Sequence, residues 1–261
     1  MAKSQSERAE RFSTLHRGGI FVMPNPWDVG SARALASMGF AALATSSGAS
    51  AAALGRRDGE LSRDDALTHA HLIAAATDLP VAGDLENGFG DSPDDVAETI
   101  RLAAQAGLVG GSIEDFSGGK SKILYDIGLA TERIAAAAKA AHALPFEFTL
   151  TARAENFLRG KPDLDDTIRR LQAFEKAGAD VLFAPGLPDL HAVRTVCASV
   201  TKPVNFMIGM KGSSFSVAQL EAAGVRRISL GGALYRAAMV GFAGAAKEIK
   251  ENGTFDFVSR L

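Results

Sequence analysis

The chain has 261 residues, 47% of them hydrophobic and 22% charged, with a formal net charge of −2. That much apolar material with interspersed charge excludes a disordered chain and predicts a large core. The lack of a basic excess excludes the cationic stripe that neutralises nucleic-acid phosphates, so no nucleic-acid partner is expected.

Short apolar runs alternate with longer amphipathic stretches, the pattern of βα units and a parallel sheet. Strands are predicted to begin near Ile20, Ala41, Val81, Val109, Phe146, Val181, Val204 and Arg227. A helix is predicted after each: 27–38, 63–77, 93–105, 129–143, 164–177, 189–198, 216–223 and 232–250. Eight such pairs with no composition break predict one (β/α)8 TIM-barrel domain over 1–261. Four helices run into Gly39, Gly107, Gly178 and Gly224, where glycine can take the left-handed conformation that ends a helix. These repeats are barrel grammar, not a ligand motif.

Two connections are long, 46–62 and 116–128, and both follow strands on the face where barrel strand ends converge. The second holds Ser117-Gly118-Gly119-Lys120-Ser121-Lys122 and reads as a lid. Residues 233–246 are small or apolar nearly all round, so that helix needs cover on more than one side. Either the tail 251–261 folds back over it or another subunit supplies the cover.

The single cysteine, Cys197, lies in a helical stretch and allows no intrachain disulfide, which suits a reducing compartment. No stretch approaches the ~20 apolar residues of a membrane span, and the polar start from Met1 to Arg8 is unlike a signal peptide. A cytoplasmic protein with no membrane partner is therefore expected.

Acidic clusters follow three of the strands: Asp84-Leu85-Glu86, Glu114-Asp115 and Glu155. In a barrel such positions become neighbours at one mouth. Asp84, Glu86 and Glu114 suit Mg²⁺, or Mn²⁺, because a hard cation takes one or two carboxylates and keeps several waters. The same acids could instead cap helices or pair with Arg153. Arg153, at the end of the fifth strand, has the planar fork that grips a carboxylate. Ser46, Ser47, Gly48 and Ala49 offer hydroxyls and successive N–H groups to an anion, or form an ordinary turn. Asn205 on the seventh strand is a further candidate substrate contact. His16, His69, His71, His142 and His191 all fall at helical or terminal positions, so no Ser-His-Asp arrangement is expected.

Several of these segments stand in the order found in one superfamily. Asn25-Pro26-Trp27-Asp28, Ala44-Thr45-Ser46-Ser47-Gly48, Leu54-Gly55-Arg56-Arg57-Asp58, Asp84-Leu85-Glu86-Asn87-Gly88-Phe89-Gly90, Gly110-Gly111-Ser112-Ile113-Glu114-Asp115 and Ala152-Arg153 together resemble the isocitrate lyase/phosphoenolpyruvate mutase superfamily. The resemblance implies a (β/α)8 barrel whose last helix is exchanged between subunits, a homotetramer, an essential Mg²⁺ and 2-oxo acid chemistry through an enolate. It implies that Ser47, Gly48 and Ala49 cradle a substrate carboxylate and that Asp84, Glu86 and Glu114 centre on the metal. It further implies that Arg153 grips the substrate, that Asp58 lies over the reacting carbon and that Lys120 sits on the gating loop.

Two segments depart from the family's branches. The isocitrate and methylisocitrate lyases resemble one another in a Lys-Lys-Cys-Gly-His loop, and here the loop 116–122 holds no cysteine. The mutase branch has an asparagine after its loop lysine and a His-x-Ser on strand six, where this chain has Lys122 and Ala184-Pro185-Gly186. The expected activity is a carbon–carbon lyase acting on a small 2-oxo or 2-hydroxy acid, including oxaloacetate-type decarboxylation. P–C bond chemistry is the alternative. A phosphosugar barrel using Leu230-Gly231-Gly232-Ala233 and a non-catalytic carboxylate-binding protein are the remaining readings.

Overall fold

The computed structural model describes residues 3–118, 122–209 and 214–260. Eight parallel strands form its centre: β1 (Phe21–Met23), β2 (Leu43–Ala44), β3 (Val81–Asp84), β4 (Gly110–Glu114), β5 (Thr149–Arg153), β6 (Val181–Phe183), β7 (Val204–Met207) and β8 (Arg227–Ser229). They run in the order β1-β8-β7-β6-β5-β4-β3-β2. The seam between β1 and β2 is held beyond the ladder. The Ala44 N–H donates to the Pro24 carbonyl at 3.1 Å, and the Asn25 amide donates to the Thr45 carbonyl at 2.8 Å. Asn25 Oδ1 also accepts the Leu230 and Gly231 N–H groups, so one side chain ties β1 to both neighbours. The result is the expected (β/α)8 barrel.

Helices follow the strands: α2 (Val29–Ser37) after β1, α3 (Ser47–Ala53) and α4 (Arg63–Ala75) after β2, then α5 (Pro93–Gln105), α6 (Ile127–His142), α7 (Leu164–Lys176), α8 (Leu190–Ala198), α9 (Val217–Ala222) and α10 (Ala233–Asn252). Helix α5 shows how its sequence starts it. Ser92 and Asp95 form a reciprocal capping box and Pro93 takes the first turn, where its missing N–H costs nothing. Aliphatic side chains between strands and helices make the main core, with Leu43, Ile73, Leu108, Ile113, Leu150 and Leu182 all fully buried.

Two elements differ from expectation. The stretch 46–62 is not only loop, because α3 begins at Ser47 with the Ser46 hydroxyl capping the Ala49 N–H. A helix, α1 (Gln5–Arg17), also precedes β1. Its capping box pairs Ser4 with Glu7, an S-x-x-E pattern that the strand-and-helix reading passed over. Phe12 and Ala9 of α1 pack with Met23, Ala42, Ala44, Ala82 and Val109 at the end of the barrel opposite the acidic clusters. A Cβ on Gly110 would stand 2.9 Å from the Phe12 ring and 2.8 Å from the Thr149 carbonyl, so only glycine admits the plug.

The barrel interior also holds Arg227, buried with no carboxylate in ion-pair reach among the described residues. It donates to Asn205 Oδ1 (2.8 Å), Thr151 Oγ1 (2.9 Å) and His16 Nε2 (3.2 Å). Arginine only donates, so His16 must be neutral with its proton on Nδ1, which faces the Phe12 carbonyl at 2.8 Å. Burial, and then the Arg227 charge, push His16 down to about 3.

Helix α10 is held to the barrel at its first turn. Tyr235 stacks edge-on against Trp27 at 5.7 Å, and Arg236 donates to the Gly209 carbonyl at 2.7 Å. Beyond that turn it leaves the barrel, and none of its residues is buried. Val240 is 73% and Phe242 66% exposed. The tail does not supply the cover, since Phe255 and Val258 are themselves 62% and 56% exposed. No helix among the described residues is long and apolar enough to cross a membrane.

Phe12→Ala removes the plug from the closed end. It is expected to cost roughly 3–5 kcal/mol in urea unfolding while leaving the remaining folded molecules active, since the acids lie at the other end. A loss below about 1 kcal/mol would show that α1 is an ornament on the barrel.

Candidate active site

Parallel register fixes the first contacts. Glu114 is paired with Arg153 across β4 and β5, and Asp84 with Ser112 across β3 and β4. Alternation along each strand then turns Asp84, Glu114 and Arg153 to the same mouth. Arg153 lies among three carboxylates: Nη1 is 3.3 Å from Asp84 Oδ1, and Nη2 is 3.2 Å from Glu114 Oε2 and 2.6 Å from Glu155 Oε1. Arg159 supports the same acids from behind, 3.1 Å from Glu114 Oε1 and 2.9 Å from Glu155 Oε2, with its guanidinium 3.9 Å above the Phe116 ring. The pairing of the strand-end acids with Arg153, open as an alternative in the sequence, is therefore present.

The other candidates gather at this mouth. The Ser47 N–H donates to Asp84 Oδ2 at 3.0 Å, and the Asp84 N–H donates to Thr45 Oγ1 at 2.9 Å. Asp58 returns over the start of α3, close enough that a Cβ on Gly48 would stand 3.5 Å from its carboxyl carbon. Glu86 has a φ of 48°, the left-handed region unusual for a side chain of this kind, and lies near Gly59. Asn205 falls elsewhere. Its amide is spent on Ser229 Oγ and Arg227 in the interior layer rather than on the Arg153 cluster. Lys120 and the centre of the expected lid lie outside the described residues; the loop's base pairs Phe116 with Leu124 in an antiparallel bridge.

Glu155 and Arg159 complete the site. Glu155 was visible as an acid after a strand, whereas Arg159 carried no sequence signal beyond lying four residues after it. Asp115 holds this segment by accepting the Glu155 N–H at 2.8 Å, and is itself held by Arg170 at 3.0 Å. Burial raises Asp115 to about 6 against those partners.

Five carboxylates, from Asp58, Asp84, Glu86, Glu114 and Glu155, thus face two guanidiniums. Neither Asp58 nor Glu86 is in an ion pair among the described residues. Burial, then the negative charges of Asp84 and Asp58, push Glu86 up to about 7. Burial also lifts Glu114 well above the carboxylate range despite Arg153. Burial disfavours the Arg153 charge, but Glu155, Glu114 and Asp84 outweigh it and raise the guanidinium further. No three carboxylate, imidazole or thiolate groups among the described residues converge as a direct metal cage. Mg²⁺ needs no such cage, because it reaches most acids through retained waters. Hard oxygen donors with uncompensated negative charge fit a divalent cation.

Carboxylates and arginines on the strand ends of a parallel eight-stranded barrel define a barrel enzyme. The phosphoenolpyruvate phosphomutase family profile matches residues 12–250. A Burkholderia cenocepacia J2315 structure, described only provisionally as a lyase/mutase, is 53% identical with a TM-score of 0.96, covering 98% of this chain and 92% of that one. 2,3-Dimethylmalate lyase is 27% identical with a TM-score of 0.87, covering 95% and 89%. Oxaloacetate decarboxylase 2 of Pseudomonas putida W619 is 26% identical over 94% of this chain and 82% of its own. The chain belongs to the isocitrate lyase/phosphoenolpyruvate mutase superfamily, as an enzyme of the carbon–carbon lyase or mutase type.

Glu86 gives a pH signature. Its folded value of about 7 lies above the ordinary 4.5, so its contribution to stability is full below about 4.5 and is lost as pH rises through about 7. Metal-free protein should lose roughly 2 kcal/mol from this group between about pH 5 and pH 8, and Glu86→Gln should remove that part of the slope. Urea unfolding across this range measures it. Superimposable wild-type and Glu86→Gln profiles would rule out the repulsion described.

Proposed function

We propose that the enzyme is a Mg²⁺-dependent lyase that cleaves a carbon–carbon bond of a small 2-oxo or 2-hydroxy carboxylic acid through an enolate. Oxaloacetate-type decarboxylation is included. The observation that carries this reading is the excess of carboxylates over guanidiniums at one barrel mouth, which calls for a cation before it can receive an anionic substrate. Asp84, Glu86 and Glu114 would hold that cation, and when bound it supplies Lewis acidity toward a substrate oxygen.

The chain's own groups do the rest. Arg153 is held by Glu155 on its Nε and Nη2 edge and by Asp84 and Glu114 on its outer edge, and would offer the substrate carboxylate its remaining Nη1 N–H. The Ser47 N–H is engaged by Asp84 and the Ala49 N–H by Ser46, which leaves the Gly48 N–H to meet a substrate oxygen. Asp58, directly over that turn, is placed to hold or move the proton at the reacting carbon, with Lys120 as the second candidate. Arg159 acts through Glu114 and Glu155 and is a positioning residue.

A P–C bond mutase or hydrolase is the second reading, favoured by the family profile over residues 12–250. Against it, Ala184-Pro185-Gly186 after β6 carries no side chain able to bind a phosphonate.

Assays of 2-oxo acids, 2-hydroxy di- and tricarboxylates and phosphonopyruvate with Mg²⁺ or Mn²⁺ decide between these readings. A carbon–carbon substrate should be turned over and chelation should abolish it. Asp84→Asn should lower kcat by about 10²-fold or more, and Arg153→Lys should raise KM. Turnover unaffected by chelation, or confined to phosphonopyruvate, overturns the lyase reading.

The open face of α10 supports assembly as a homotetramer, with that helix covered by a neighbouring copy. The single cysteine accords with a cytoplasmic location. Light scattering at micromolar concentration should give about four times the 27.2 kDa chain mass, and Val240→Asp with Phe242→Asp should reduce it. A monomeric full-length chain would contradict this assembly.

A further inference from the structure

The buried residues of α6 are alanines and Ile134, with one exception, Arg133. Arg133 is only 1% exposed and is in no ion pair among the described residues. Burial disfavours its charge, while Tyr125, Asp91 and Asp95 nearby favour it. A guanidinium in such a place needs acceptors, and this one finds them in a single turn. Its Nη1 donates to the Gly90 carbonyl at 2.8 Å and to the Ser92 carbonyl at 3.4 Å, and its Nη2 donates to the Asn87 carbonyl. Its plane lies 4.3 Å from the centre of the Tyr125 ring. The Tyr125 hydroxyl accepts from Asn87 Nδ2 at 2.9 Å and donates to Asp91 Oδ1 at 2.5 Å. All these contacts converge on 87–92, the segment that leaves β3 directly after Glu86.

That turn is strained and carries a load. Glu86 and Phe89 have φ of 48° and 58°, a region that side chains of their kind adopt only when their surroundings impose it. The Glu86 carboxylate is in no ion pair among the described residues and is repelled by Asp84 and Asp58. Repulsion and desolvation both favour its escape to water, and relaxation of the turn would permit it. The turn must therefore be held. On the β4 side the Glu86 carbonyl accepts the Glu114 N–H at 2.9 Å. On the other side the Asn87 carbonyl is held by Arg133, and the Gly88 carbonyl by Thr99 Oγ1 at 2.7 Å.

We propose that Arg133 is a positioning residue of the active site. By gripping the Asn87, Gly90 and Ser92 carbonyls it locks the turn after β3 and keeps the Glu86 carboxylate at the mouth against Asp84 and Asp58. It makes no hydrogen bond or ion pair with Asp58, Asp84, Glu86 or Glu114 among the described residues, so it acts through the backbone of the turn. Lysine cannot do the same, because one ammonium does not span three carbonyls as a planar guanidinium does. The grip on the turn follows from these contacts; its consequence for the cation and for turnover rests on the lyase reading above.

Arg133→Lys and Arg133→Met in the full-length protein test it, the first keeping the charge and the second much of the length without the donors. Amide hydrogen exchange is followed in metal-free protein, Mn²⁺ affinity by calorimetry, and kcat and KM on the substrate found in the assays above. In Arg133→Lys, exchange should quicken about tenfold at Gly88 and Phe89, whose N–H groups donate to the Leu85 carbonyl and to Asn87 Oδ1, and stay at the wild-type rate in β4 and β5. Mn²⁺ should bind about tenfold more weakly and kcat should fall about tenfold, with KM within about twofold of wild type because Arg153 is untouched. Arg133→Met should be at least as severe, and if it does not fold the lysine variant carries the test. Exchange that quickens equally throughout the barrel overturns the proposal, since a purely structural arginine would act that way. Wild-type exchange at the turn in Arg133→Lys overturns it too, as does an Mn²⁺ affinity equal to that of the wild type. A wild-type protein that binds no Mn²⁺ counts against the cation reading, and exchange confined to the turn then still decides for Arg133.

Discussion

The Arg153 guanidinium, set among Asp84, Glu114 and Glu155, is the interaction on which this molecule's active end depends. Three carboxylates from three strands cannot share a half-buried mouth without a cation, because each loses water and repels the others. Arg153 and Arg159 remove most of that penalty and fix the orientation of Glu114 and Glu155. They do not remove all of it. Glu86 and Asp58 are in no ion pair among the described residues, and it is this remaining negative charge that the proposed divalent ion would offset. Paired acids supply rigidity here, and the unpaired ones would supply affinity for the proposed cation.

The opposite end of the barrel solves the reverse problem. Arg227 is buried beneath the acids with only neutral acceptors, and burial brings it down to about 9. Asn205, Thr151 and His16 offset part of the cost with hydrogen bonds. This layer separates the acidic mouth from the plug made by Phe12.

Helix α10 belongs to neither end. Its first turn is locked through Trp27 and Tyr235, but its apolar residues face outward along the rest of its length. An exposed face of this size in a folded chain costs solubility unless something covers it. The tail leaves it open, and the proposed assembly would cover it.

Much of this was legible in the sequence. Strand starts, the glycine punctuation after four helices and the strand-end placement of Asp84, Glu114 and Arg153 followed from periodicity and local backbone preference, which neighbouring residues suffice to set. The capping box at Ser4 is equally local, yet no helix was expected before β1. The partnership of Arg159 with Glu114 was not legible, nor was the diversion of Asn205 to Arg227, because both depend on register and on which side chains the closed barrel brings into contact, at 3.1 and 2.8 Å. The sequence by itself determined that the strand-end residues Asp84, Glu114 and Arg153 would reach the mouth, since strand ends converge wherever a parallel barrel closes. Only the tertiary structure decided which acids are neutralised and which stay unpaired, because charge compensation is a property of distances between residues far apart in the chain.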